Sequence, residues 1–338
     1  MAAARWKLVL GVVVVTAAAF LTACSANADE HDIVVYNGHD QRLTRQWVDA
    51  FTEATGIRVT LRNATDAEVA DQILAEGDRT PADVLLTQNS PAMARVERAD
   101  RFDELDPATV AQVPRQLRPE SGRWTGIAAR ATTFVFDPAT MPPGALPASL
   151  LELQQPQWRG RWTTDPRGAD FQAIVAALLE LDGENATRAW LHGVKDTVVT
   201  APGNFAAMRS VGAGKDGGAL LFATDYYRDR LAPQPVVGAS IPHYFRNQDP
   251  GAYLALAGAG VLKSSRHLED AQRFVRFVTG VAGQRVLSGG AAMEYPVAAG
   301  VPVDPALPPL DSLGAPSVDP SRLDPDRVDV LIREAGLL

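Results

Sequence analysis

Apolar positions along this chain fall into two rhythms, and their alternation predicts its elements. The first rhythm is the short, mostly apolar run. Asp32-Ile33-Val34-Val35-Tyr36 reads as a buried strand that stops at Asn37-Gly38. Ile57, Val59 and Leu61 alternate with polar neighbours as a second strand, and 82–86 forms a third. Residues 131–136, 218–222 and 251–262 repeat the pattern. The second rhythm is the three-and-four spacing of a helix face. Leu43, Trp47, Ala50 and Phe51 share a face that ends at Gly56. Asp66 caps a further helix carrying Val69, Ile73 and Leu74, which stops at Gly77. Gln88-Asn89-Ser90-Pro91 opens the next. Strand and helix in this alternation predict an open α/β sheet with parallel neighbours. Residues 170–181 and 185–194 predict helices of a second α/β unit. Asn204 opens another helix with Phe205, Met208 and Val211 on one face, and helices are expected over 268–278 and 326–335. Pro142-Pro143-Gly144 marks a loop, and the frequent prolines between 301 and 325 predict an extended wrap. No internal repeat is present.

The N-terminus adds an address. Arg5 and Lys7 precede an apolar stretch from Leu8 to Phe20, too short to span a bilayer as a mature helix, followed by Leu21-Thr22-Ala23-Cys24. That predicts a secretory signal over 1–23 and resembles a bacterial lipobox, in which Cys24 is lipidated and 24–31 is a tether. Each buried CH₂ of a lipid chain contributes about 0.8 kcal/mol, so two or more chains hold a protein stably on the extracytoplasmic face of the membrane. Cys24 is the single cysteine, so no disulfide is available and the fold must rest on its core. A mature chain of about 310 residues is long enough to split into two domains. The formal charge of −8 argues against nucleic acid as a partner and is compatible with capturing a cation.

Ligands of open α/β sheets gather at the carboxyl ends of the strands. Gly38-His39-Asp40, Gln88-Asn89 and Thr224-Asp225-Tyr226-Tyr227 occupy three such ends. The last contains the most distinctive chemistry in the chain. A phenol titrates near pH ~10 and is ordinarily neutral. A trivalent cation makes deprotonation of its own ligands favourable, so paired phenolates suit Fe(III) better than Zn, Cu(I) or Ca.

The same residues carry a family resemblance. Val35-Tyr36-Asn37-Gly38, Pro81-Ala82-Asp83-Val84, Asp249-Pro250-Gly251-Ala252, Val261-Leu262-Lys263-Ser264-Ser265 and Glu294-Tyr295-Pro296, in this order, resemble the bacterial ferric-ion-binding proteins, the solute receptors of ABC importers. The resemblance spans nearly the whole mature chain. It implies a two-lobed periplasmic-binding-protein fold of the type II kind, each lobe an open sheet flanked by helices. The implied lobes are 32–128 with 252–290 and 129–251 with 291–338. Two hinge strands join them, near 127–133 and 251–256. It further implies a monomer that closes over Fe(III), uses Tyr226 and Tyr227 as ligands, and docks on a membrane permease.

This sequence departs from the family pattern at two places. Asp40 stands at the family's histidine position, with His39 one residue earlier. Gln88-Asn89 stands where Glu-Gln is common, which puts a neutral amide in place of a hard carboxylate. Asp40 and His39 are therefore both candidate ligands. Each has a competing structural role, as a helix N-cap and as a polar turn residue. The resemblance implies a synergistic anion, phosphate or carbonate, or water, completing the coordination. Its holders would be the turn Arg167-Gly168-Ala169, at a helix start where exposed N–H groups favour an anion. Asn204, Thr224 and Arg130 would assist, with Gln88 and Asn89 as hydrogen-bonding groups nearby. Other ligands of the same fold remain open: a ferric chelate, a small organic cation or an organophosphonate. Catalysis is not expected, because no serine nucleophile elbow, no H-E-x-x-H and no phosphate-cradling loop is present.

Overall fold

The computed structural model describes residues 32–338, so the signal, Cys24 and the tether lie outside the described residues. In chain order the first half runs β1 (Asp32–Asn37), α1 (Gln41–Thr55), β2 (Arg58–Asn63), α2 (Asp66–Glu76), β3 (Val84–Thr87), α3 (Ser90–Arg98), α4 (Pro107–Val110) and β4 (Trp124–Phe136). There follow β5 (Trp162–Thr164), α5 (Ala169–Thr197), β6 (Val198–Thr200), α6 (Asn204–Gly212), β7 (Gly218–Phe222), α7 (Ala223–Arg230), β8 (Ile241–His243), β9 (Leu254–Val261), α8 (Leu268–Thr279), α9 (Val281–Ser288) and α10 (Pro325–Glu334).

One strand organises the sheet. The first part of β4, from Trp124 to Ala131, pairs antiparallel with β9. Its last part, from Thr132 to Phe136, pairs with β7 on one side, and Phe134–Phe136 pair with β8 on the other. The resulting order is β2-β1-β3-β9-β4-β7-β5-β6. All of β4 is buried, as a strand covered on both faces must be. Two cores lie on either side of it. One packs Trp47 and Phe51 of α1 against β1, β3 and Phe274 of α8. The other packs Trp162, Phe171 and Trp190 against the ends of β4 and β7 and against α10. Burial of each such side chain stabilises by roughly 1.5–3 kcal/mol, which allows the fold to stand without disulfides.

Most elements fall where the hydrophobic pattern places them, and the differences have physical reasons. The expected parallel neighbours hold for β1 with β2 and β3, but β9 enters antiparallel between β3 and β4. Thr65, not Asp66, caps α2, sharing a reciprocal capping box with Glu68. Phe205 is 51% exposed with the Arg209 guanidinium over its ring, while Met208 and Val211 face inward. The strand expected over 251–262 begins only at Leu254, after a short 3₁₀ turn at Pro250–Ala252. Gly183, at φ +80°, breaks α5 into the two expected helices. The expected wrap contains short 3₁₀ turns at Leu310–Leu313 and Pro320–Arg322.

Candidate functional site

The buried strand β7 passes into α7 without an intervening turn, with Phe222 at the N-cap position. Tyr226 and Tyr227 are thus successive helical residues, about 100° apart around the axis. Their rings meet edge-on, with centroids 5.1 Å apart. Tyr226 is 6% exposed, and its hydroxyl donates to the Ser240 carbonyl at 3.1 Å. Tyr227 is half-buried and lies 3.2 Å, oxygen to oxygen, from Tyr244. Burial pushes the phenols of Tyr226, Tyr244 and Tyr295 above their ordinary range, so these groups are neutral at physiological pH. Among the described residues no group of three or more His, Cys, Asp and Glu could hold a metal ion.

The loop after β1 is pinned by Asn37. Its side-chain oxygen accepts from the His39 N–H and the Thr44 hydroxyl, and its amide donates to the His39 carbonyl and to Asn63. Gly38 is required there, because a Cβ would stand 2.2 Å from Asp66 Oδ1. This geometry turns His39 inward against Trp47, with its Nε2 3.3 Å from Glu294 Oε2 and both side chains fully buried. Asp40 caps α1 by accepting from the Leu43 N–H at 2.9 Å, and its second oxygen lies 3.3 Å from Arg228 Nη1. Arg228 also donates to the Ala292 carbonyl and pairs with Glu294. His39-Asp40 and Arg228–Glu294 thus form a charged clasp between the β1 loop and α7. Burial alone would raise the Glu294 pKa, but His39, Arg130 and Arg228 outweigh it and hold the carboxyl below its usual range.

A second polar cluster centres on Arg130 of β4, which is 1% exposed and stacks 4.5 Å above the Phe222 ring. It donates to the Gln88 carbonyl, to Asn89 Oδ1 and to Asp170. Asn204 Nδ2 donates to Asp170 and to Asp225, each at 2.7 Å. Asp66 accepts from the backbone N–H groups of Gln88 and Asn89, each at 2.8 Å. Desolvation raises Asp66 to about 6, against the opposing pull of those two N–H groups. Asp225 is likewise raised to about 6 by desolvation and then by Asp170. Burial disfavours the Arg130 charge, yet Asp170, Glu294, Asp225 and Asp66 together push its pKa up.

Residues 79–320 match a family described as bacterial extracellular solute-binding protein. The chain is 46% identical over 331 residues to an Fe(3+)-binding periplasmic protein of Serratia marcescens, covering 97% of this chain and 98% of that one. It belongs to the bacterial ferric-ion-binding protein family. A major ferric iron-binding protein of Neisseria meningitidis is 33% identical over 328 residues, covering 95% and 97% of the two chains. The crystal structure of iron-bound HitA from Pseudomonas aeruginosa superposes with a TM-score of 0.82 at 35% identity, covering 90% of this chain and 99% of that one. The expected two-lobed fold is that of these relatives, and the family consists of solute-binding transport proteins rather than enzymes.

Within this family member the expected anion-holding residues are placed as follows. Gly168 is the N-cap of α5, Ala169 its first residue, and the Arg167 side chain is exposed. Both N–H groups of Asn204 point to protein carboxylates, and the buried Thr224 hydroxyl donates to the Met293 carbonyl. Gln88 enters the site through its backbone, while Asn89 contributes its side chain. The sequence reading missed Asp66, Asp170, Asp225, Arg228, Glu294 and Tyr244. Asp225 and Arg228 flank the tyrosine pair and could have been flagged by proximity. Asp66 read as an ordinary cap, and Glu294 stood in a resemblance motif without a role, because its ion-pair partners lie more than 60 residues away in sequence.

Proposed function

We propose that this protein is an extracytoplasmic receptor that captures Fe(III) between its lobes through the phenolates of Tyr226 and Tyr227 and delivers it to an ABC permease. The carrying observation is the edge-on phenol pair in the middle of α7, in a chain 46% identical to a protein named for binding Fe(3+). Burial keeps the Tyr226 phenol neutral before loading, and the trivalent charge supplies the driving force for removing the phenol protons. His39 and Asp40 make their polar contacts with Glu294 and Arg228, so the two phenolates leave coordination positions for water or an anion such as phosphate or carbonate. That sparse donor set also favours a second reading, in which iron arrives as a chelate whose own donors fill those positions. Contacts to both lobes make the closed form the better binder, so cargo shifts the population toward it. A lipid anchor at Cys24 would keep the monomeric receptor near its permease and raise its effective concentration there.

Adding ferric salt to the purified protein tests this reading. A visible phenolate-to-iron charge-transfer band is expected, and Tyr226→Phe or Tyr227→Phe should abolish or strongly bleach it. A wild-type protein that stays colourless and retains no iron after gel filtration would overturn the assignment. Ferric citrate in place of the simple salt separates the second reading, which requires citrate to co-elute with the metal.

A further inference from the structure

Four phenols, Tyr226, Tyr227, Tyr244 and Tyr295, sit close enough to influence one another electrostatically, and their hydroxyls are not equivalent. Tyr226 donates to the Ser240 carbonyl at 3.1 Å. Tyr295 donates to the Pro308 carbonyl at 2.9 Å. Both of those partners can only accept, so neither proton points at another phenol. Tyr244 alone bonds to a tyrosine, with its oxygen 3.2 Å from that of Tyr227.

The segment around Tyr244 is built to hold it there. His243 ends β8, which pairs with β4, and its ring Nε2 lies 3.0 Å from the Pro147 carbonyl. Phe245 is 1% exposed and meets the His243 ring edge-on. Asn247 and Gln248 both take positive φ, near +60°, a conformation that asparagine adopts readily and that is costly for glutamine. They are held in it by the Gln248 N–H bonding to the Gly314 carbonyl at 2.8 Å. A loop strained at its tip and fixed at both flanks has little freedom to withdraw Tyr244.

We propose that Tyr244 is a positioning residue for ferric iron: its hydroxyl donates a hydrogen bond to the Tyr227 phenolate and makes the two iron-bound phenolates unequal. The inference rests on Tyr227 being a ligand. A phenolate has no proton to give, so once Tyr227 ionises the 3.2 Å contact can persist only with Tyr244 as donor. A charge-assisted bond of this kind draws electron density from the phenolate oxygen. Tyr227 is then the weaker donor to the metal and Tyr226, whose hydrogen bond to the Ser240 carbonyl is lost with its proton, the stronger. A weaker donor raises the energy of its charge-transfer transition, and its bond to iron is the first to give way to a competing chelator.

The test is Tyr244→Phe, which keeps the ring and deletes the donor, with Tyr295→Phe as the control that loses a hydroxyl bonded elsewhere. In ferric-loaded protein, Tyr244→Phe should move the charge-transfer maximum to longer wavelength and slow iron removal by excess citrate several-fold. Tyr295→Phe should do neither. Identical maxima in wild type and Tyr244→Phe would overturn the proposal. Raman difference spectra of the iron-free proteins give a second measurement that needs no metal. The tyrosine doublet should show one phenol losing a hydrogen-bond donor in Tyr244→Phe beyond the signal of the deleted residue. Absence of that change also overturns it. A colourless wild type instead counts against iron binding, while the Raman arm still decides the contact.

Discussion

Arg130→Met is the sharpest test of how the site is held. The substitution keeps a long, flexible apolar stem over Phe222 but removes the guanidinium that bonds the Gln88 carbonyl, Asn89 and Asp170. It leaves Asp170 with a side-chain exposure of only 15% and neutral amides as donors, Asn204 at 2.7 Å and Asn89 at 3.5 Å. Breaking a buried pair by removing one partner costs about 3–5 kcal/mol, because the other charge stays desolvated. With an unfolding entropy of about 2.1 cal/mol/K per residue over roughly 300 residues, 4 kcal/mol lowers Tm by about 6 °C. If the two lobes melt separately, the affected transition moves about twice as far. Circular dichroism melts of the iron-free protein measure this directly.

The same variant carries a pH signature. Asp66 titrates at about 6 in the folded protein, above its unfolded value of 3.8, and Arg130 is one of the groups pulling it down. A raised folded pKa contributes stability that is fully present below the unfolded value and lost as pH rises through the folded one. Removing Arg130 raises the folded pKa further, so the deficit relative to wild type should be largest well above pH 7, shrink as pH falls toward 6, and owe nothing to Asp66 below that. A deficit below about 1 kcal/mol at pH 7.5, or one independent of pH, would refute the view that this buried cation balances its surrounding carboxylates.

Two further outcomes follow from the remaining geometry. Arg228→Gln removes the charged bridge from α7 to Asp40 and weakens the hold on Glu294, which still keeps His39 beside it. It should cost about 1–2 kcal/mol in urea denaturation and speed iron removal by citrate, and wild-type release kinetics would show that the clasp does not help hold the lobes closed. Cys24→Ser should release the protein from the membrane fraction, and continued retention would exclude the lipid anchor.

Much of this protein was legible locally. Short apolar runs and the three-to-four pattern placed β1, α1, β7 and α6, because those segments bury one face or both whatever surrounds them. Gly56 and Gly77 ended their helices as local stereochemistry requires. The tyrosine pair could be singled out because adjacent phenols follow a buried strand at the position that the family resemblance gives to its ligands. The antiparallel entry of β9 was not legible, since an apolar run fits either direction and only its partners choose.

Residue type and short-range spacing were therefore enough for most elements and for noticing the paired phenols, and the family came from resemblance along the whole chain. The tertiary structure alone decided what each polar group touches. The sequence left His39 and Asp40 as ligands, a turn residue or a cap, and gave no sign that Glu294 and Arg228, distant in the chain, would lie against them. Asp66 passed for a cap until the Gln88 and Asn89 N–H groups arrived at its carboxylate. Asn204 was legible as a helix start with a side-chain amide, but not that Asp170 and Asp225 would lie at its two donors. The reason is common to all three. A hydrogen bond or ion pair is fixed by a few ångströms of three-dimensional approach, and separation along the chain carries no information about that distance.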